Sequence, residues 1–332
     1  MKAIWITWEN QRRNRSMSTQ AQAELHELSY PGRNRLLRYL NLGMETLKII
    51  AREKPAVVFY QNPSIALASI VTVYRKFAGQ PFQLVGDFHN AGVFPPVGQG
   101  LAKWIARNSD LVIVTNAQLQ NVLDHWGAKS IAIPDPIPEL DEHISETQAP
   151  SPRRKILFIC SWAEDEPIAE VFRAAHHLLH SGQALEIHIT GRPKLQRFIP
   201  DGVVPENIKL MGYLSDEDFE RELHEADAIL DLTTRDNCMV CGAYEGVAAE
   251  KPLILSGNQA TRDYFNKGVL FTDNSAIDIA ERMIELAVNY DELSRQIVQL
   301  KKELQQRQHS TFQTLQTLLL KSSTASEETS PR

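Results

Sequence analysis

The residue types best suited to chemistry stand where short apolar runs end. The densest such stretch is Asp231-Leu-Thr-Thr-Arg-Asp-Asn-Cys-Met-Val-Cys-Gly-Ala-Tyr-Glu-Gly-Val-Ala-Ala-Glu-Lys-Pro252. Residues 228–232 read as a buried strand and 233–241 as a loop. A helix opens at Gly242 with small residues in its first turn, and Lys251-Pro252 ends it before the strand 253–255. A helix start without side-chain bulk admits an anion to its unpaired N–H groups and to the positive end of its dipole. One turn further in, Glu245 offers a carboxylate to a sugar diol, so the stretch suits a nucleotide diphosphate. Gly and Ala would serve equally well to bring helix and sheet close together. Both readings stand at this level.

Asp87-Phe-His-Asn90 is a second cluster at a strand end. Histidine titrates near neutrality, so His89 suits a base toward a hydroxyl or a hydrogen-bond partner for a sugar, with Asp87 and Asn90 placed to orient it. Glu9, in the loop after the first strand, is another candidate base. Glu164, Asp165 and Glu166 precede Pro167 and read as helix-start acids, which leaves Ser161 and Trp162 as the candidate site residues of that loop. Cys238-Met-Val-Cys241 is a CxxC. It has no second CxxC or spaced His pair to complete a zinc shell, and no metal is expected.

The 332 residues are enough for two domains with full cores, and 43% hydrophobic with 23% charged residues excludes disordered and fibrous classes. Three cysteines make no disulfide framework and point to a reducing cytoplasm. No signal peptide heads the chain, and its apolar runs are short of a membrane span, so a soluble protein is expected. The net charge of −6 is uneven: residues 1–60 hold ten Lys/Arg, Arg12, Arg13, Arg15, Arg33, Arg35 and Arg38 leading, against five Glu. Such a basic front fits a phosphate-bearing partner or an anionic membrane, and equally a solvated helix surface. No nucleic-acid-binding signature accompanies it.

The elements that must position these residues alternate strand and helix. Strands are expected at 2–7, 56–60, 82–86, 111–115 and 130–133, and helices at 19–28, 36–52, 65–76, around Trp104 and at 117–126; residues 8–18 and 91–100 read as loops. A proline-rich run from Pro134 to Arg154 reads as a linker. The rhythm then restarts with strands at 155–160, 185–190 and 208–212 and helices at 168–180 and 215–226. This is a doubly wound α/β pattern, a parallel sheet with helices on both faces, twice over. Ligands of such sheets sit off the carboxyl ends of the strands, where Glu9, Gln61-Asn62 and His89 all fall. The expected domains are 1–150 and 151–290, with a helical tail over 291–320 packing across both and a disordered end at 321–332.

Gln61-Asn-Pro63, Asp87-Phe-His-Asn90, Ser161-Trp-Ala-Glu-Asp-Glu166, Thr190-Gly-Arg192 and Ala243-Tyr-Glu245 with Glu250-Lys-Pro252 occur in an order that resembles GT-B fold glycosyltransferases of the group 1, family 4-like kind. The nearest likeness is to the β-mannosyltransferase type that elongates chitobiosyl-diphosphodolichol. It covers residues 2–281. The resemblance implies two Rossmann-like domains facing across a cleft that closes on a hinge. The rear domain would bind a nucleotide-diphosphate sugar, GDP-mannose or a UDP-hexose, as donor substrate, with no cofactor. The front domain would offer a hydroxyl of a glycan or lipid-linked acceptor, with peripheral membrane contact through the basic segment. Glu245 matches the family's second glutamate and would hold the ribose; the first falls on Asn237, a departure that bears on sugar choice and on stereochemistry. Met239, Val240, Cys241 and Gly242 would bring backbone N–H groups to the diphosphate or hexose. Arg192 and Lys194 match the region where a cation meets the leaving diphosphate, on which negative charge grows as the glycosidic bond breaks. An epimerase on the same scaffold, or a non-catalytic carbohydrate- or partner-binding protein, are the rival expectations.

Overall fold

The computed structural model describes residues 1–32, 34–62, 64–79, 81–95, 98–140, 154–199 and 202–328. The expected linker lies largely outside these residues, as does Arg33. The chain forms two compact units, Met1–Pro136 with Gln306–Arg332, and Ile137–Gln305.

The first unit runs β1 (Ala3–Thr7), α1 (Arg12–Gln20), β2 (Glu24–Glu27), α2 (Arg35–Glu53), β3 (Val57–Asn62), α3 (Ile65–Arg75), β4 (Gln83–Phe88), α4 (Asn90–Val93), α5 (Gln99–Arg107), β5 (Leu111–Val114), α6 (Ala117–Trp126) and β6 (Ser130–Ala132). Its sheet has the order β2-β1-β3-β4-β5-β6, every pair parallel. β1, β3, β4 and β5 are buried on both faces, which is why they read as largely apolar runs. One face carries Ile4, Val58, Leu84 and Val112 under α2, α3 and α5; the other carries Trp5, Phe59, Val85 and Ile113. Chain order reverses between β1 and β3, and this switch point opens a crevice at the carboxyl ends of those two strands.

The second unit runs β7 (Arg154–Phe158), α7 (Ile168–His180), β8 (Leu185–Thr190), α8 (Leu195–Phe198), β9 (Ile208–Gly212), α9 (Asp216–Glu225), β10 (Ala228–Asp231), α10 (Cys241–Ala248), β11 (Leu253–Ser256), α11 (Gln259–Tyr264), β12 (Val269–Thr272), α12 (Ala276–Val288) and the start of α13 (Tyr290–Glu328), whose residues from Gln306 belong to the first unit. Its all-parallel sheet has the order β12-β11-β10-β7-β8-β9, so its switch point lies between β7 and β10.

Three expectations change. Residues 12–20, read as part of a loop, form α1, and the expected helix at 19–28 gives way to β2, an edge strand beside β1. The inward positions of α1 are Arg13, Asn14, Met17 and Ser18, all buried. Three of the four are polar, so no apolar stripe announces the helix. Gln22, at φ 53°, turns the chain out of it. The expected loop at 91–100 is entered by α4, which begins at Asn90 and runs to Val93. The last helix does not end at Leu320 but runs on to Glu328. Leu293, Ile297, Leu300 and Leu304 of α13 join the core of the second unit, and Phe312, Leu315 and Leu319 cover Trp5 and Phe59 in the first. No described helix is long and apolar enough to cross a membrane.

Candidate functional site

At the switch point of the first unit the strands end in polar residues that pair with one another. Gln61 Oε1 accepts from the Thr7 hydroxyl and from Asn14 Nδ2 (3.1 Å), and Gln61 Nε2 donates to Gln11 Oε1 (2.6 Å). Asn14 Nδ2 also reaches the Glu9 carbonyl (3.0 Å), and Gln11 Nε2 donates to Glu9 Oε2 (2.9 Å). Glu9 is thereby fixed at the mouth of the β1–β3 crevice, half-buried and anchored to Gln11. Thr7, Asn14 and Gln61 are almost wholly buried, so these bonds replace water the groups have lost.

His89 follows β4 and meets Asp87 as expected: its Nε2 lies 3.1 Å from Asp87 Oδ2. The partner that the sequence did not reveal is Arg13. Its guanidinium grips Asp87 as a fork, Nε to Oδ2 at 3.0 Å and Nη2 to Oδ1 at 2.7 Å, and its Nη1 meets Asp135. Asp87 has no exposed surface. Burial alone would resist its ionisation, but the charges of Arg13 and His89 and their hydrogen bonds outweigh this and hold the carboxyl well below the usual range. An ionised Asp87 can only accept, so Nε2 carries the proton in a neutral His89 ring. That leaves Nδ1 as the nitrogen with a lone pair. A buried Arg preceding an Asp-x-His by some seventy residues carries no sequence signal of its own.

Asn62, at the end of β3, is buried with its Nδ2 unpartnered, and its carbonyl accepts from the His89 N–H at 3.2 Å. A Cβ on Gly92 would lie 2.6 Å from that carbonyl, so α4 can start where it does only because residue 92 is glycine.

In the second unit the loops after β7 and β10 are laced across their switch point. Asp165 accepts from the Thr233 hydroxyl (2.8 Å) and pairs with Arg235 (2.9 Å), and its carbonyl accepts from the Thr234 N–H (2.7 Å). Glu166 folds the β7 loop around itself, accepting from the Ser161 N–H and hydroxyl (both 2.9 Å) and the Ala163 N–H (2.7 Å). These two acids are staples rather than helix-start charges. Further along, Asn258 Nδ2 (3.0 Å) and the Thr261 hydroxyl (3.3 Å) hold the Cys238 carbonyl. Asn237, with φ 55°, turns the chain into residues 238–240, which are half-exposed.

Asp231 supplies the unexpected feature. Buried at the end of β10, it accepts the Gly242 N–H on Oδ2 at 2.7 Å. A Cβ on Gly242 would lie 2.4 Å from that oxygen. Gly242, expected to offer its N–H to a diphosphate, is therefore shaped around a carboxyl of the protein itself. Burial, opposed by the Gly242 N–H and reinforced by the charges of Glu245, Glu166 and Asp165, raises the Asp231 pKa well above the ordinary aspartate value. Glu245 stands one turn into α10, the position read from the sequence.

The remaining candidates separate. Trp162 does not face solvent: it is 1% exposed, packs against Phe172 and Phe198, and donates Nε1 to the Thr190 carbonyl at 3.0 Å. Ser161 is exposed but tied to Glu166. Lys194 gives its Nζ to the Trp162 carbonyl at 2.8 Å. Arg192 is exposed, its guanidinium 5.5 Å from the centre of the Tyr213 ring. Gly191 (φ 82°) begins this turn, and a Cβ there would strike the Cys160 carbonyl. Among the described residues no group of three or more His, Cys, Asp or Glu is placed to hold a metal ion.

No protein-family model and no curated protein matches the chain. Solved structures do. Anabaena Alr3699/HepE, in complex with UDP and glucose, is similar over 96% of this chain and 91% of its own, with a TM-score of 0.68 and 12% identity. A glycosyltransferase from Rickettsia africae matches over 98% and 90%, with a TM-score of 0.63 and 14% identity. A structure named for a UDP-N-acetylglucosamine 2-epimerase of Listeria monocytogenes matches over 90% and 91%, with a TM-score of 0.57 and 12% identity. At these identities the similarity defines a fold. The chain has the α/β GT-B architecture, two doubly wound parallel-sheet units, as the sequence led us to expect.

Proposed function

We propose that the protein is a glycosyltransferase that moves a hexosyl group from a nucleotide-diphosphate sugar to a hydroxyl of a glycan or glycolipid acceptor. The observation that carries this reading is a coincidence of place. The β7–β10 switch point, where α10 opens and Glu245 stands, is where this fold class receives ligands, and a full-length structural match holds UDP. Glu245 would accept from the ribose hydroxyls. Because the Gly242 N–H is occupied by Asp231, the diphosphate would meet residues 239–241, with Arg192 as the exposed cation toward the charge growing on the leaving group. Asn237 would reach the hexose. In the first unit His89 Nδ1 would take the proton of the attacking hydroxyl as its oxygen bonds to the anomeric carbon and the nucleotide departs; Glu9 is the second candidate for that role. UDP is preferred to GDP on the strength of the structural neighbours. The mannosyltransferase likeness of the motifs keeps GDP-mannose as the donor to test against it. The reading needs no resident metal and draws its donor from the cytoplasm.

The test is thermal stability with UDP, GDP and their sugars. A ligand at one hundred times its dissociation constant adds about 2.7 kcal/mol, and Glu245→Ala should abolish most of that gain, each protein being compared with its own unliganded melt. A full shift in the variant would remove Glu245 from the site. The epimerase neighbour supports one rival, which turnover of a UDP-sugar without acceptor would establish. Binding with neither transfer nor epimerisation would point to a carbohydrate-binding protein without chemistry.

A further inference from the structure

Two aspartates are buried at strand ends among the described residues, and only one of them has a cation. Asp87 is gripped by Arg13, whereas Asp231, 7% exposed, meets no Lys, Arg or His in an ion pair among the described residues. The titratable groups that act on Asp231 are acidic. They are Glu245 on α10, Asp165 and Glu166 in the loop after β7, and the buried Cys160 thiol, whose own ionisation Asp231 opposes. β11, paired with β10 on its other side, is Leu253-Ile-Leu-Ser256 and brings no charge. Arg235, the cation of this loop cluster, is turned to Asp165 at 2.9 Å.

The two oxygens of Asp231 stand differently. Oδ2 accepts the Gly242 N–H at 2.7 Å, in the space that a Cβ on residue 242 would fill. Oδ1 has no hydrogen-bond partner among the described residues, and it is not one of their fully enclosed unpaired atoms, so the opening that Asp231 keeps includes it. An ionised carboxyl can only accept, and here it would set two anions, itself and a diphosphate, against one helix start. The neutral acid supplies what that start lacks once Oδ2 has taken the Gly242 N–H: a donor, the O–H on Oδ1. Burial and the surrounding acids favour this form. We propose that Asp231 binds the nucleotide-diphosphate donor as a neutral acid, giving a hydrogen bond from Oδ1 to a diphosphate oxygen and drawing its proton from solvent where it was ionised beforehand. The inference rests on the transferase reading, whose donor site it deepens.

The test is the affinity of the full chain for UDP-glucose, by calorimetry, between about pH 6 and about pH 9. Each phosphate of this probe holds one charge throughout, unlike a terminal phosphate with its second pKa of about 6. Because the bound form keeps the proton, affinity is greatest at the low end and is lost as pH rises. The wild type should weaken by about tenfold or more over the range, and near the high end binding should take up as much as about one proton, read from heats in buffers of different ionisation enthalpy. Asp231→Asn offers an N–H in place of the O–H and cannot ionise, so its affinity should not vary with pH and its binding should take up no proton. Asp231→Ala lacks the donor and should bind about tenfold more weakly than Asp231→Asn at either end. A wild-type affinity level with pH, an asparagine variant with the wild-type slope, or an alanine variant that binds as tightly as the asparagine one would overturn the proposal and leave the donor site standing. Wild type that binds neither UDP-glucose nor GDP-mannose at any pH would remove the transferase reading and this inference together.

Discussion

At the scale of single residues the structure rests on two buried carboxyls held in opposite states. Asp87 is kept ionised by Arg13 and His89; Asp231 is pushed toward its protonated form by burial and by its acidic neighbours. The consequences differ in sign. Arg13→Ala leaves a buried charge without its partner and should cost about 3–5 kcal/mol in chemical denaturation, much of it recovered when Asp87→Asn is added. Asp231 has a folded pKa raised above its unfolded value, so its contribution is intact below the ordinary aspartate pKa, about 3.9, and fades as pH rises toward the folded value. Asp231→Asn keeps an acceptor for the Gly242 N–H and cannot ionise. It should hold its stability through neutral pH better than the wild type does; a variant that loses stability in parallel with the wild type would contradict this. Gly242→Ala should cost about 1–3 kcal/mol through the clash with Asp231, and Asp231→Ala in the same chain should relieve it. His89→Ala should lower turnover by about 10²–10⁴-fold if Nδ1 is the base, and should also lower the melting temperature, because it takes one hydrogen-bond partner from the buried Asp87. His89 and Asp87 were legible in the sequence because they stand two residues apart at the end of an apolar run. Arg13 was not, since its partnership joins α1 to β4, two elements that no local pattern links.

At the scale of elements, the strands were legible and the helices less so. A parallel strand buried on both faces writes itself as a run of Val, Ile, Leu and Phe, as 57–60 and 111–114 do. A helix is read from one apolar stripe, and α1 hides that stripe by turning Arg13, Asn14 and Ser18 inward to the polar network at the strand ends. The misreading of residues 12–28 thus sits beside the candidate site, where local pattern and tertiary demand diverge. Trp162 shows the reverse error: a tryptophan among polar loop residues looks available, yet packs into the core. A different pairing of elements ties α9 to β7 and β8. Glu222 on α9 is held down to about 2, burial being outweighed by hydrogen bonds and charge from His188 and Lys155. A depressed folded pKa means that this contribution is present above the ordinary glutamate value and is lost as pH falls toward 2. Denaturation midpoints of Glu222→Gln and wild type should therefore converge between about pH 4.5 and pH 2; a gap constant with pH would show that the carboxylate is not what holds α9.

At the scale of the whole molecule, the first unit is discontinuous in sequence. Its helical cover from residue 306 onward is separated from the rest of the unit by the whole of the second unit. Phe312, Leu315 and Leu319 lie on Trp5, Phe59 and Ile113, and Gln83 Nε2 donates to the Leu319 carbonyl at 2.8 Å. Ending the chain at Gln305 should leave that face bare, lowering the melting temperature of the first unit or driving the protein into aggregates. The second unit, which keeps Leu293, Ile297, Leu300 and Leu304, should retain its own transition, and two unchanged transitions would refute this account of α13. The same arrangement sets a timetable for biosynthesis. A ribosome makes the front sheet first, yet the residues that close over its tryptophan follow only after about 170 intervening residues have been translated at roughly 5–20 per second. For that interval the nascent front half carries an uncovered aromatic face, an exposure that the order of the chain itself imposes.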